Sequence, residues 1–238
     1  MPVPSPAIEA VTLFNELVDL PWSESARIRQ IEVRLRRLFE LRPDVLTGLS
    51  LSNARAMLGM YAAANELLPW LRTAIVSSDR VLIRNFTALA LDLGHFELAI
   101  ELADSRQDLA YLGMYAAFHS GNAEALWRFA AEAEHKPMLD WLAKLEAANL
   151  VEPFRDLQAA IREVMNGKFT ACEISLSNVG EDSACIYYSW LERAERRQLE
   201  YEIDLMVQAL AERHGTSWLD YPLITTILPL GAHPGYSA

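Results

Sequence analysis

Leu58-Gly59-Met60-Tyr61-Ala62-Ala63 returns letter for letter as Leu112-Gly113-Met114-Tyr115-Ala116-Ala117, 54 residues further on. Recurrence at a fixed spacing marks a chain built by stacking one small unit, and stacked units present extended surfaces suited to binding. The interval divides into two steps of 27, because Ala63, Ala90 and Ala117 are evenly spaced and Gly94 and Gly121 keep the same interval. Three helix pairs are therefore expected near residues 54–80, 81–107 and 108–134. Alanines on the inner side of each pair let helices approach closely, and Gly94 and Gly121 supply the positive φ that turns one helix into the next. In this register Tyr61 and Tyr115 occupy the same place in the first and third units.

Within the repeats, Gly94-His95-Phe96-Glu97-Leu98-Ala99-Ile100 resembles the turn and second-helix start of a tetratricopeptide repeat: a Gly, an aromatic two residues on, and Ala at the fifth position after the Gly. Leu58-Gly59 and Leu112-Gly113, each followed by a Tyr, resemble that family's first helix. The family's units are about 34 residues long. Here the Tyr falls two positions after the Gly instead of three, and Gly121-Asn122-Ala123-Glu124-Ala125 places its Ala one residue early. The resemblance covers roughly residues 54–134 and implies a degenerate helical-repeat array with a protein-binding role.

Outside the repeats the periodicity predicts further helices. Ser5 caps and Pro6 opens a first one, with Ile8, Val11, Phe14 and Val18 on one face and an end near Pro21. A second, after Ser23, carries Ile28, Ile31, Leu35, Leu38 and Phe39 at helical spacing, and Arg27, Arg29, Arg34, Arg36 and Arg37 on its other face. Lys136-Pro137 opens a helix with Met138, Trp141, Leu142, Leu145 and Leu150. Glu152-Pro153 opens another with Phe154, Leu157, Ile161 and Val164, ending at Asn166-Gly167. Beyond Gly167 the period alternates. Phe169 to Val179 and Ala184 to Trp190 are expected as antiparallel strands around Gly180-Glu181-Asp182-Ser183, with Ile174, Leu176, Ile186 and Tyr188 toward the buried side. A helix from about Leu191 to Arg213 follows, with Leu199, Ile203, Met206 and Leu210 in a stripe and Gly215 past its end. Leu223 to Leu230 is a third strand, which Pro229 confines to an edge or to its last residues.

The expected fold is mainly α: a helical-repeat, α-solenoid-like array over residues 1–167, then a small C-terminal ββαβ module (α+β) over residues 168–238. A module of about 70 residues has too little core to stand alone and is expected to pack on the last helices of the array.

With 52% hydrophobic residues in a chain of 238, a sizeable core can be buried. The net charge of -11, from 32 acidic and 21 basic residues, disfavours general binding to phosphate backbones and favours a basic protein partner, while also serving solubility. Met1-Pro2-Val3-Pro4-Ser5-Pro6 carries no leader pattern and no run is long enough to cross a bilayer, so a cytoplasmic protein with no membrane partner is expected. Cys172 and Cys185 fall in the two expected strands, with Cys172 opposite about residue 189, out of register for a bridge. Reduced thiols fit a reducing compartment.

Catalytic signatures are missing from the pattern. There is no G-x-S-x-G elbow, and neither cysteine has a neighbouring His. The histidines, His95, His119, His135, His214 and His233, never fall three or four apart, and the glycines are dispersed, so neither a metal nor a cofactor is expected. Aromatics gather instead on the repeat helices. Tyr61, Trp70, Tyr111 and Tyr115 are the candidate protein-binding residues, with Phe118 and Trp127 nearby, and Arg34, Arg36 and Arg37 form a candidate charged docking patch.

The expected function is stoichiometric, non-catalytic capture of a partner protein, as a chaperone or adaptor, or as an inhibitor or immunity-type protein for a basic partner. Two alternatives stand beside it. One is an enzyme whose site lies at the junction of array and module, near Cys185, His214 and Tyr221. The other is a regulatory protein touching nucleic acid through the arginine-rich second helix. An unpaired strand near Ala184 or Leu223 would allow a dimer.

Overall fold

Asp44 opens the helix around which the first half of the chain is organised. Its carboxylate accepts the Thr47 backbone N–H at 3.0 Å and the Thr47 hydroxyl at 2.6 Å, a side-chain cap that starts helix formation at Val45. The computed structural model describes residues 6–21, 24–75, 79–104, 106–165, 171–175, 183–189, 191–215 and 223–229, with strand side chains described at Ile174, Tyr187, Ser189, Ile227 and Leu228. The chain is mainly helical and divides into two compact units, the boundary falling between Leu93 and Gly94. That boundary lies inside the expected middle pair, residues 81–107, so its two helices belong to different units.

The first unit holds α1 (Pro6–Asp19), α2 (Ser25–Leu41), α3 (Val45–Met57), α4 (Tyr61–Asn65), α5 (Leu68–Ala74) and α6 (Arg80–Asp92). Helix α3 packs against all five others and is buried nearly all round, at Thr47, Leu49, Ser50, Leu51, Ser52 and Ala54. Its hydroxyls find acceptors inside: Ser50 donates to the Leu46 carbonyl at 2.7 Å and Ser52 to the Ala64 carbonyl of α4 at 3.0 Å. A Cβ at Gly48 would come within 2.6 Å of the Trp70 ring and 3.0 Å of Phe39, so the missing side chain is what lets those rings seat. Helix α2 buries Ile28, Ile31, Leu35 and Leu38 as its spacing predicts. Helix α1 is rotated from its expected orientation. It buries Ala10, Leu13 and Leu17, while Ile8, Val11 and Val18 are 61%, 48% and 67% exposed.

The first copy of the repeated hexapeptide is not in the interior of a helix. Leu58 ends α3, Gly59 takes φ +72°, and Tyr61 starts α4. The Met60 N–H returns to the Arg55 carbonyl and the Gly59 N–H to Ala56, which closes the helix end in the manner of a left-handed cap. The second copy, Leu112 to Ala117, lies wholly inside a helix, α8 (Ala110–Ser120). The element homologous in shape to Gly59 is Gly94, φ +78°. Each is followed by an aromatic at the second position, Tyr61 or Phe96, which starts a helix, and by a fully buried alanine at the fifth, Ala64 or Ala99.

The second unit holds α7 (Phe96–Ala103), a single 3-10 turn at Gln107–Leu109, α8 (Ala110–Ser120), α9 (Ala123–Glu132), α10 (Lys136–Ala147), α11 (Val151–Met165), β1 (Ala171–Ser175), β2 (Ser183–Ser189), α12 (Arg193–His214) and β3 (Leu223–Pro229). Helix α8 is its hub, packed against α7, α9 and α11 and buried at Ala110, Gly113, Met114 and the whole run Ala116 to Ser120. A Cβ at Gly113 would meet the Phe129 ring at 2.7 Å. Phe118, Trp141 and Phe154 complete this core, with ring centroids 5.2 to 5.6 Å apart.

The strands pair in the order β1-β2-β3, with β1 antiparallel and β3 parallel to β2. Ala184 therefore sits in the central strand, not at an edge, whereas Leu223 begins an edge strand that Pro229 ends. The pairing runs two residues off the expected register: Cys172 lies opposite Tyr187 and Cys185 opposite Ile174. The side chains described in β2, Tyr187 and Ser189, are both buried, and the Tyr187 ring reaches the ring of His119; the side chains of Ile186 and Tyr188 lie outside the described residues. Leu176 and the turn at 180–182 lie outside the described residues. Helix α12 buries Leu199, Ile203 and Leu210 and is tied to α11 through Asp156, which lies 3.1 Å from His214 Nε2 and 3.8 Å from Arg213. On the β3 edge, the Ile227 N–H donates to Glu200 of α12 at 3.2 Å, which removes one of the edge's donors.

Candidate functional site

Tyr111 and Tyr115 stand one helical turn apart on α8, so their side chains share a face. Their hydroxyls lie 3.1 Å apart and their ring centroids 5.0 Å, tilted by 55°. Tyr111 is 52% exposed and Tyr115 half-buried. His135, at the N-cap of α10, brings a third ring 6.1 Å from Tyr111. Its Nδ1 accepts the Met138 N–H at 3.2 Å, which fixes the ring's orientation and caps the helix in one bond. The segment that delivers His135 is unusual: Glu134 takes φ +53°, a left-handed conformation that the turns after α3, α6 and α8 give to glycine. Trp127 also reaches the surface, its indole N–H donating to Glu146 at 2.7 Å.

The other two candidate aromatics sit in different surroundings. Trp70 packs edge-on against Phe39 at 5.0 Å and over Gly48, so its ring is a packing element of the first unit. Tyr61 is half-buried, and burial pushes its phenol above its ordinary range, with the nearby Asp92 charge acting the same way. Of the four candidates, the structure brings Tyr111 and Tyr115 together.

Two of the five arginines on α2 reach α1. Arg34 reaches Glu9 at 2.8 Å, and Arg27 pairs with Glu16. Arg36 lies 3.8 Å from Glu32, which is itself nearly buried and also within 3.4 Å of Arg55. Arg37 is exposed and makes no ion pair among the described residues. Of the candidate docking patch Arg34, Arg36 and Arg37, one guanidinium is thus unengaged.

A buried polar group that the sequence does not announce lies between α8 and β2. His119 is 3% exposed, its Nδ1 is 3.4 Å from the Tyr187 hydroxyl, and its ring stacks on Phe96 at 5.3 Å. Burial pushes its imidazole down to about 3, and the Arg162 charge adds to that. On α11 the Gln158 amide is fully buried, and neither its oxygen nor its nitrogen has a partner among the described residues. No local pattern could have found this group, because His119 and Tyr187 are 68 residues apart.

Of the residues weighed for catalysis, His214 is engaged by Asp156, while the Cys185 side chain and Tyr221 lie outside the described residues. Among the described residues, no group of three or more His, Cys, Asp or Glu is placed to hold a metal ion. No described helix is long and apolar enough to cross a membrane. Comparison with protein-family models, with curated proteins and with solved structures finds no match.

Proposed function

We propose that the chain is a non-catalytic protein-binding module that captures a partner protein stoichiometrically, as a chaperone or adaptor or as an immunity-type inhibitor, and that this partner is basic. In this reading the helices form a degenerate, solenoid-like array of the tetratricopeptide kind, and residues 168–238 form a ββαβ module at its end. The turns at Gly59 and Gly94 support the array: they share a positive φ, an aromatic helix start and a buried alanine at an interval of 35 residues. The observation that carries the binding role is the Tyr111–Tyr115 pair, held by its own hydroxyl contact, with Tyr111 exposed and Tyr115 half-buried on a chain of charge -11. Ordered aromatic rings with polar tips are what protein interfaces use as anchors, since little side-chain entropy is lost on contact. The acidic balance speeds encounter with a partner of opposite sign.

Affinity capture with the whole chain, followed by rapid mixing with the captured protein, tests this. The expected result is a one-to-one complex with a net-positive protein whose association rate falls at least about threefold between low and physiological salt. A partner whose rate ignores salt would remove the charge from the reading. Retention of no protein in stoichiometric amount would overturn it.

A further inference from the structure

Three features of the Tyr111 surface bear on what kind of group it receives. The Tyr111 ring lies 5.0 Å from that of Tyr115 and 6.1 Å from that of His135, and an aromatic face carries the negative part of its quadrupole outward. In sequence, Asp108 is three residues before Tyr111, and Glu132 and Glu134 precede His135, with Arg106 and Lys136 as the basic neighbours. Glu134 also holds a left-handed conformation that costs about 1 kcal/mol for a residue with a Cβ, at a turn position filled by glycine after α3, α6, α8 and α12 and by Asn149 after α10.

We infer that Tyr111, Tyr115 and His135 form a receiving platform for a cationic side chain, arginine or lysine, projecting from the basic partner protein. The inference rests on the reading of the chain as a binder of a basic protein, and deepens it by naming the contact. An anion is a poor occupant, because it meets negative ring faces on a chain of charge -11. A purely apolar side chain is also a poor one, because it would strip water from the two hydroxyls without replacing their hydrogen bonds. A guanidinium or ammonium satisfies both demands: it lies over a ring face and donates to a hydroxyl oxygen. The hydroxyl contact at 3.1 Å holds the two tyrosines in place before the ligand arrives, so little order remains to be imposed on binding.

The experiment is calorimetric titration of the full chain with hexa-arginine peptide, with hexa-glutamate as the control, at low salt. Tyr111 is 52% exposed, so Tyr111→Ala is expected to fold with an unchanged melting temperature while binding hexa-arginine at least about fivefold more weakly. Tyr111→Phe keeps the ring face and is expected to stay within about twofold of the parent. Glu134→Gly should weaken binding by about twofold. Equal affinity of Tyr111→Ala and the parent would overturn the platform and leave the basic-partner reading standing. A parent chain that binds hexa-arginine no better than hexa-glutamate would overturn both.

Discussion

The two copies of Leu-Gly-Met-Tyr-Ala-Ala carry the same side chains into different structures. In the first unit the segment ends α3, turns at Gly59 and begins α4; in the second it runs unbroken through α8. The difference lies in what surrounds each glycine. Among the described residues nothing approaches within 4 Å of a Cβ at Gly59, and the backbone there uses glycine's access to positive φ. At Gly113 the backbone is helical and the Phe129 ring fills the space a side chain would take. Glycine is thus a turn residue once and a packing residue once, and tertiary contacts overrule the six-letter identity. The two tyrosines diverge accordingly: Tyr61 is held beside Asp92 in a half-buried place, and Tyr115 joins Tyr111 at the surface.

The hub helices extend this contrast, and acid is the condition expected to separate them furthest. Helix α8 buries His119 beside Arg162, whereas the buried polar residues of α3 are threonine and serines that do not titrate near neutral pH. Because the native imidazole is pushed down to about 3, the unfolded chain takes up a proton below its ordinary value of 6.5 and the folded chain does not. The stability from this group is complete above that value and is lost as pH falls, by about 1.4 kcal/mol per unit at most. Across this range the stability measured by urea unfolding should fall less steeply with acid in His119→Phe than in the parent, while Asp92, whose carboxyl desolvation pushes up to about 7, acts in the opposite direction in both.

Next in size is Gly113→Ala. The added methyl must displace a fully buried Phe129, and a loss of about 2 kcal/mol is expected, less whatever the helix gains from alanine. Gly59→Ala carries no clash and costs about 1 kcal/mol through its positive φ alone. Gly59→Asn should cost less than half of that, since Asn tolerates this region, whereas Gly113→Asn should cost more than Gly113→Ala. Equal responses of the two sites to Ala and Asn would remove the contrast. The smallest effect is a gain: Glu134→Gly relieves a left-handed residue and should stabilise the second unit by about 0.5 kcal/mol, seen as a higher urea midpoint. Its gain in stability and its loss of hexa-arginine affinity together would mark Glu134 as a residue kept for binding.

Much of the helical layout was legible in the sequence, because amphipathic spacing reports a face turned to a core. The stripes of α2, α10 and α12 lie where Ile28, Trp141 and Leu199 and their periodic companions place them. Helix α3 was not legible from residue 45, since a helix buried all round has no polar face to set a period and its serines resemble turn residues. The face of α1 was misread because Ile8, Val11 and Val18 are more apolar than Ala10, yet the small residue is the one that lets the helix approach its neighbours. In β2, alternation pointed to a strand, but the contact that buries Tyr187 is with His119, 68 residues away, and has no local signal. At the candidate site, Tyr111 and Tyr115 could be paired from their four-residue spacing. His135 could not be added to them, because its ring is brought in by the turn at Glu134.

Residue-resolved hydrogen exchange of the native chain compares the two hexapeptides most directly. In α8 the amides of Tyr115, Ala116 and Ala117 lie beyond the first turn, bonded along the helix, and should be among the slowest in the second unit. The amides of Tyr61, Ala62 and Ala63 open α4, where a first turn has no helical acceptor, and should exchange at least about a hundredfold faster. Comparable protection of the two sets would contradict the account, because identical segments would then share one structure and the echo would be a true structural repeat.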